Sequence, residues 1–206
     1  MSSVTHIDRV FYKPKYLIVR AKKSDGFIAS VYLTDGSEDA KGKSRRLFDV
    51  ESNLSADDLI AKVEAEIESR NNTLRKGRKR HEVPTAEEYI KTLEYLLEMD
   101  KIKDIYLKVL TAHYKSPNFE ATPIELARQT GFEDNYEVVN LHYGAFGGLI
   151  GEDVHFEPTQ KMNDRTVWTF VIADDTHEQF KNKTANWIWT LRPQVVEAID
   201  FLKLCK

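Results

Sequence analysis

Residues 122–131 constrain what this chain can fold into more than any other segment. Thr122-Pro123-Ile124-Glu125 joins three helix-start signals: a Thr cap, Pro at the first helical position, and Glu three residues after the cap. Gly131 supplies a stop soon afterwards. The spacing therefore predicts a short helix from Pro123 to Thr130. Asp134 stands where it would cap a second helix running through Tyr136, Val139, Leu141 and Phe146. A helix, a short helix, a tight turn and a further helix make up a helix-turn-helix.

The flanking sequence extends this plan in both directions. Thr85-Ala86-Glu87-Glu88 fits a capping box, and Ile90, Leu93 and Leu97 follow at helical spacing. Ile102, Ile105 and Val109 mark the next helix, which should stop near Ser116-Pro117. Beyond the helix-turn-helix, Thr166–Ile172 and Asn186–Leu191 alternate at period two, as half-buried strands do. The polar stretch between them reads as the loop of a hairpin, or wing. Pro193 opens a last helix with Val196, Ile199 and Phe201 expected to face inward. Residues 85–206 thus read as a winged-helix-like domain.

Residues 1–69 have a different grammar. Tyr16–Val19 and Phe27–Leu33 are rich in β-branched and aromatic residues, with the turn signal Asp25-Gly26 between them. Arg45–Val50 suggests a third strand. Ser55 is a good N-cap, Asp57 and Asp58 suit the positive end of a helix, and Leu59, Ile60, Val63 and Ile67 form an apolar stripe. The expected fold class is α+β: a small antiparallel β unit with one covering helix over 1–69, a basic linker over 70–84, then the winged-helix-like domain.

Charge divides along the same line. Residues 1–81 carry 17 Lys+Arg against 12 Asp+Glu, and residues 82–206 carry 13 against 21, so a net −3 conceals +5 and −8. The single cysteine, Cys205, excludes an internal disulfide and a cysteine-rich zinc site. No apolar run approaches the roughly 18 to 20 residues that span a bilayer, and Met1–Arg9 lacks a secretory h-region. No membrane partner is expected, and the default location is cytoplasmic.

Two separated motifs carry a resemblance. Asn140-Leu141-His142-Tyr143-Gly144-Ala145-Phe146-Gly147-Gly148-Leu149-Ile150, followed later by Trp189-Thr190-Leu191-Arg192-Pro193-Gln194-Val195, resembles a helical module of bacterial HNH-type restriction endonucleases. In those proteins an N-L-x-Y-G-x-h-G stretch (h, hydrophobic) precedes a strand ending in h-R-P-x-V. The resemblance spans roughly residues 103–204. It implies an accessory, DNA-recognising part in bacterial or phage defence against foreign DNA. The chain departs from that pattern in having no HNH segment, so nuclease activity does not carry over.

Candidate contacts follow from these placements. In a helix-turn-helix, residues near the start of the second helix meet base edges, which selects Asn135, Tyr136 and Asn140, with His142 and Tyr143 one turn on. Asn can bond adenine bidentately. Arg75, Lys76, Arg78, Lys79 and Arg80 lie in an acid-free run that suits phosphate neutralisation, or else a plain solvated connection. Residues 115–165 hold only four Lys/Arg against nine acids, so the helix-turn-helix alone cannot supply phosphate affinity.

Other motifs point away from chemistry. Gly144, Gly147, Gly148 and Gly151 do not follow a strand and precede no Lys-Ser/Thr, so close helix packing outweighs a phosphate loop; an early helix end near Gly147 is the variant of that reading. Trp168, Trp187 and Trp189 read as strand core, with an aromatic pocket for a flipped or modified base as the second reading. The six His form no metalloprotease motif, and His155 and His177 among Asp153, Glu157, Asp174 and Asp175 match no metal spacing. No catalytic residue, metal or cofactor is expected.

The expected function is a non-catalytic DNA-binding component of restriction or defence. It would meet double-stranded DNA, plain or modified, and work beside a nuclease or other protein subunit. The rival is a protein-interaction or inhibitor module whose acidic face docks on a basic partner, in the extreme as a DNA mimic. A metal-dependent nuclease of unrecognised type is a third reading; it would need carboxylates that cluster only in space.

Overall fold

Four strands lead the chain: β1 (Thr5–Tyr12), β2 (Tyr16–Lys23), β3 (Gly26–Thr34) and β4 (Ser44–Ser52), an antiparallel sheet in sequence order. They belong to a computed structural model that describes residues 5–13, 15–23, 25–37, 42–53, 55–175 and 187–205. The chain divides into two compact units, residues 1–76 with 99–101, and residues 77–98 with 102–206.

In the first unit α1 (Ala56–Arg75) packs on β3 and β4. Ser55 caps it as predicted, its hydroxyl accepting from the Asp58 N–H at 3.2 Å. Tyr16, Ile18, Ala29, Val31 and Leu33 are buried on the sheet, and Leu59, Val63 and Ile67 on the helix. Each such aliphatic side chain contributes about 1.5–3 kcal/mol by leaving water. Gly26 is required where β2 returns into β3. Its φ is +152°, and a Cβ there would lie 2.5 Å from the Ser52 carbonyl oxygen. Strand β1 was not expected from the sequence, because its alternation is broken by Asp8 and Arg9, the charges that suit an edge strand.

The boundary after this unit differs from the expected linker. α1 continues through Arg75 and ends at Lys76 in the left-handed region, φ 51°. Residues 70–75 are therefore helical. Residues 78–82 turn back on themselves and are bonded to the second unit.

The second unit begins with α2 (Ala86–Glu98) and α3 (Asp104–Tyr114), then the short strand β5 (Glu120–Ala121), α4 (Pro123–Gln129) and α5 (Tyr136–Val154). A two-residue hairpin, β6 (Lys161–Met162) with β7 (Arg165–Thr166), follows. After it come a 3₁₀ turn (Trp168–Val171), β8 (Ala173–Asp174), β9 (Trp189–Leu191) and α6 (Pro193–Leu202). Strand β9 lies between β5 and β8, antiparallel to both. The core gathers Tyr89 and Leu93 of α2, Val109 and Leu110 of α3, Leu126 of α4, and Phe146 and Ile150 of α5.

Both predicted capping boxes are present. Thr85 Oγ1 accepts from Glu88 N–H at 3.3 Å while Glu88 accepts from Thr85 N–H at 2.8 Å. Thr122 and Glu125 repeat the exchange at 3.3 and 2.8 Å. The expected Asp134 cap is absent. Asn135 occupies that position, and Asp134 instead accepts from Arg128 Nε at 2.6 Å across the turn.

The expected strand Thr166–Ile172 is the main correction. Phe170, Val171, Ile172 and Ala173 are all 0% exposed, and a strand with one wet face cannot bury four consecutive side chains. The chain instead curls into the 3₁₀ turn against α5. There a Cβ on Gly147 would lie 2.1 Å from the Trp168 carbonyl oxygen, and one on Gly151 2.8 Å from the Trp168 ring. The glycines are packing glycines, and α5 does not end near Gly147 but runs to Val154. Tyr89 donates its hydroxyl to the Val171 carbonyl at 2.6 Å, and Arg192 Nε donates to the Phe170 carbonyl at 3.0 Å. Of the loop expected between the two strands, Ala173 and Asp174 form β8, and 176–185 lies outside the described residues.

Candidate nucleic-acid interface

The first half of α5 leaves one face uncovered. Asn135, Tyr136, Glu137, Asn140 and Leu141 are exposed, while Val139, Tyr143 and Phe146 on the other side are buried. The split follows the helical period, since 139, 143 and 146 fall on one stripe. Of the predicted base contacts, Asn135, Tyr136 and Asn140 thus reach solvent. His142 is half-buried, near the Phe132 and Tyr106 rings at 6.4 and 6.2 Å. Tyr143 is fully buried and is a core residue rather than a contact.

The burial of Tyr143 has a partner that the sequence did not disclose. His113 on α3, also 0% exposed, places Nδ1 2.8 Å from the Tyr143 hydroxyl and Nε2 2.9 Å from the Trp189 carbonyl oxygen. A carbonyl only accepts, so Nε2 carries the proton and Nδ1 accepts from Tyr143. Burial pushes the His113 pKa down to about 4 and raises that of Tyr143 well above the usual phenol range. This neutral bridge ties α3, α5 and β9 together.

The predicted phosphate-binding run separates into different environments. Arg75 ends α1 and Lys76 is its C-cap, both in the first unit. Lys79 and Arg80 are exposed in the second, where Arg80 pairs with Glu157 at 3.2 Å. Arg78 does not face solvent. Its side chain is 7% exposed and donates from Nε and Nη2 to the 1%-exposed Glu88 carboxylate, and from Nη2 to the Val154 carbonyl at 2.5 Å. An arginine already forked onto a buried carboxylate is removed from the phosphate candidates.

A basic element missing from the candidate set lies beside α5. The β6–β7 hairpin turns on Asn163 and Asp164, at φ 49° and 61°, the two successive left-handed residues of a tight hairpin turn. Adjacent Asn and Asp are the sequence signal that would have located it. Lys161 and Arg165 on this hairpin are exposed. Arg165 and Asn140 line one cleft of about 660 Å³, together with Gly144, Trp168, Trp187 and Trp189. Asn140, at the edge of the uncovered face of α5, and the hairpin therefore line a single surface feature.

Among the described residues, no three His, Cys, Asp or Glu side chains gather as a metal site requires, and no helix is long and apolar enough to cross a membrane. His177, one of the histidines weighed above, lies outside those residues. Compared with protein-family models, with curated proteins and with solved structures, the chain matches none.

Proposed function

We propose that the second unit is a winged-helix-like DNA-binding module and that the chain acts as a non-catalytic recognition component. The observation that carries this reading is the shared cleft. Asn140, on the helix face that also exposes Asn135 and Tyr136, shares it with Arg165 of the hairpin that also exposes Lys161. The wiring supports it: α3, α4 and α5 follow one another with β5 between the first two of them, and β5 forms an edge of the β5-β9-β8 sheet. On this reading α5 enters the major groove, Asn140 meets base edges, and the hairpin lysine and arginine hold phosphates. Lys79, Arg80, Arg75 and Lys76 add sequence-independent attraction. A setting in restriction or defence rests on the motif resemblance of Asn140–Gly147 and Leu191–Val195. Fluorescence anisotropy with labelled duplex, plain and cytosine-modified, over a salt series tests the proposal. Steeply salt-dependent binding supports it, and no binding at low salt overturns it.

One observation favours a protein partner instead. Leu141 is 68% exposed on α5, and Glu133 and Glu137 are exposed nearby. An apolar side chain set among acids suits a basic protein surface, such as a nuclease groove. Loss of partner capture by a Leu141→Asp chain, with duplex binding absent in the parent, would establish that reading.

A further inference from the structure

The cleft between α5 and the hairpin is more than a groove wall, because its lining is aromatic. Trp189 is 3% exposed, yet among the described residues its indole Nε1–H finds no acceptor. The Trp189 backbone is fixed by His113, and its ring lies 5.7 Å from that of Tyr143, so the indole is held in place. Trp168 and Trp187, half-buried, line the same space. Gly144 keeps it open: a Cβ there would meet only Thr169 Oγ1, at 3.8 Å. At about 660 Å³ the cleft is of the size that receives small flat ligands.

We infer that this cleft receives a single nucleobase turned out of a DNA duplex, a proposal that rests on the DNA-binding reading above. A flat heterocycle suits this lining, its faces meeting the indole rings. Arg165 at the rim takes the adjoining phosphate. Extrusion is easiest for a base that is mismatched or unpaired, so such a site distinguishes damaged or altered DNA from intact duplex.

The test compares three probes by anisotropy and by quenching of tryptophan fluorescence: intact duplex, the same duplex with one base facing an abasic site, and free nucleoside monophosphates. The variants are Gly144→Leu, which fills the cleft, and Trp187→Ala, which removes a half-buried indole from its wall. The unpaired-base duplex is expected to bind the parent about tenfold more tightly than intact duplex, the scale of one base stacked on an aromatic ring. Both variants should lose that difference and keep intact-duplex binding. Equal affinity for the two duplexes overturns the base pocket and leaves the DNA reading standing. Quenching by a monophosphate that Gly144→Leu abolishes, with no duplex bound, supports the pocket and overturns the DNA reading. No response to any probe overturns both.

Discussion

His113 and Trp189, 76 positions apart in sequence, are joined by a buried 2.9 Å hydrogen bond from the imidazole Nε2–H to the tryptophan carbonyl. The pair of bonds belongs to a neutral ring, because Nδ1 accepts from Tyr143 while Nε2 donates. A pKa held at about 4 by burial, against about 6.5 in an unfolded chain, makes folding depend on pH. The unfolded state takes up the proton first. Stability from this group is therefore complete above pH 6.5 and is lost as pH falls towards 4, by about 1.4 kcal/mol per pH unit. Urea denaturation at pH 7, 5.5 and 4.5 should show the midpoint falling through this window, and a His113→Gln chain should show a flatter profile.

Two glycines one turn apart on α5 should respond in opposite directions. Gly147→Ala forces a methyl into the Trp168 carbonyl and should destabilise by about 1–3 kcal/mol, as overpacking does. Gly144→Ala meets nothing closer than 3.8 Å and gains helix propensity, so it should stabilise by up to about 1 kcal/mol. Thermal melts of the two variants beside the parent would decide the point.

Arg78 and Glu88 should behave as a structural pair. Arg78→Ala leaves a carboxylate buried without its counter-charge and should cost about 3–5 kcal/mol in thermal or urea unfolding. Lys79→Ala, one position further on and exposed, should leave stability within about 0.5 kcal/mol.

If the hairpin holds phosphates, Lys161→Ala and Arg165→Ala should each lower the slope of log affinity against log salt by about one. Arg78→Ala should not change that slope. A slope unaltered by both hairpin variants would remove the hairpin from the interface.

The helix starts were legible because capping is local chemistry: Thr85 with Glu88 and Thr122 with Glu125 need no distant partner. The uncovered face of α5 was legible only in part: Asn135, Tyr136 and Asn140 reach solvent, whereas Tyr143, chosen with them, is core. What misled was alternation in Thr166–Ile172. There, tertiary contacts with Gly147, Tyr89 and Arg192 override a pattern that local rules read as a strand. Phe201 failed similarly: with Val195, Ala198 and Ile199 inward, position 201 falls across the helix and is 65% exposed. Arg78 and His113 were misplaced or overlooked because nothing in a sequence announces which arginine meets a buried carboxylate, or which histidine is enclosed by three elements.

The fork of Arg78 onto Glu88 and Val154 has one more consequence. Residues 77–82 are basic, rich in sites for a trypsin-like protease, and read as a connector. Yet they are anchored to the start of α2 and the end of α5 through one guanidinium. Their amide protons should therefore exchange in step with those two helices rather than at the rate of a tether, and cleavage after Arg78 should await an opening of both helix ends together.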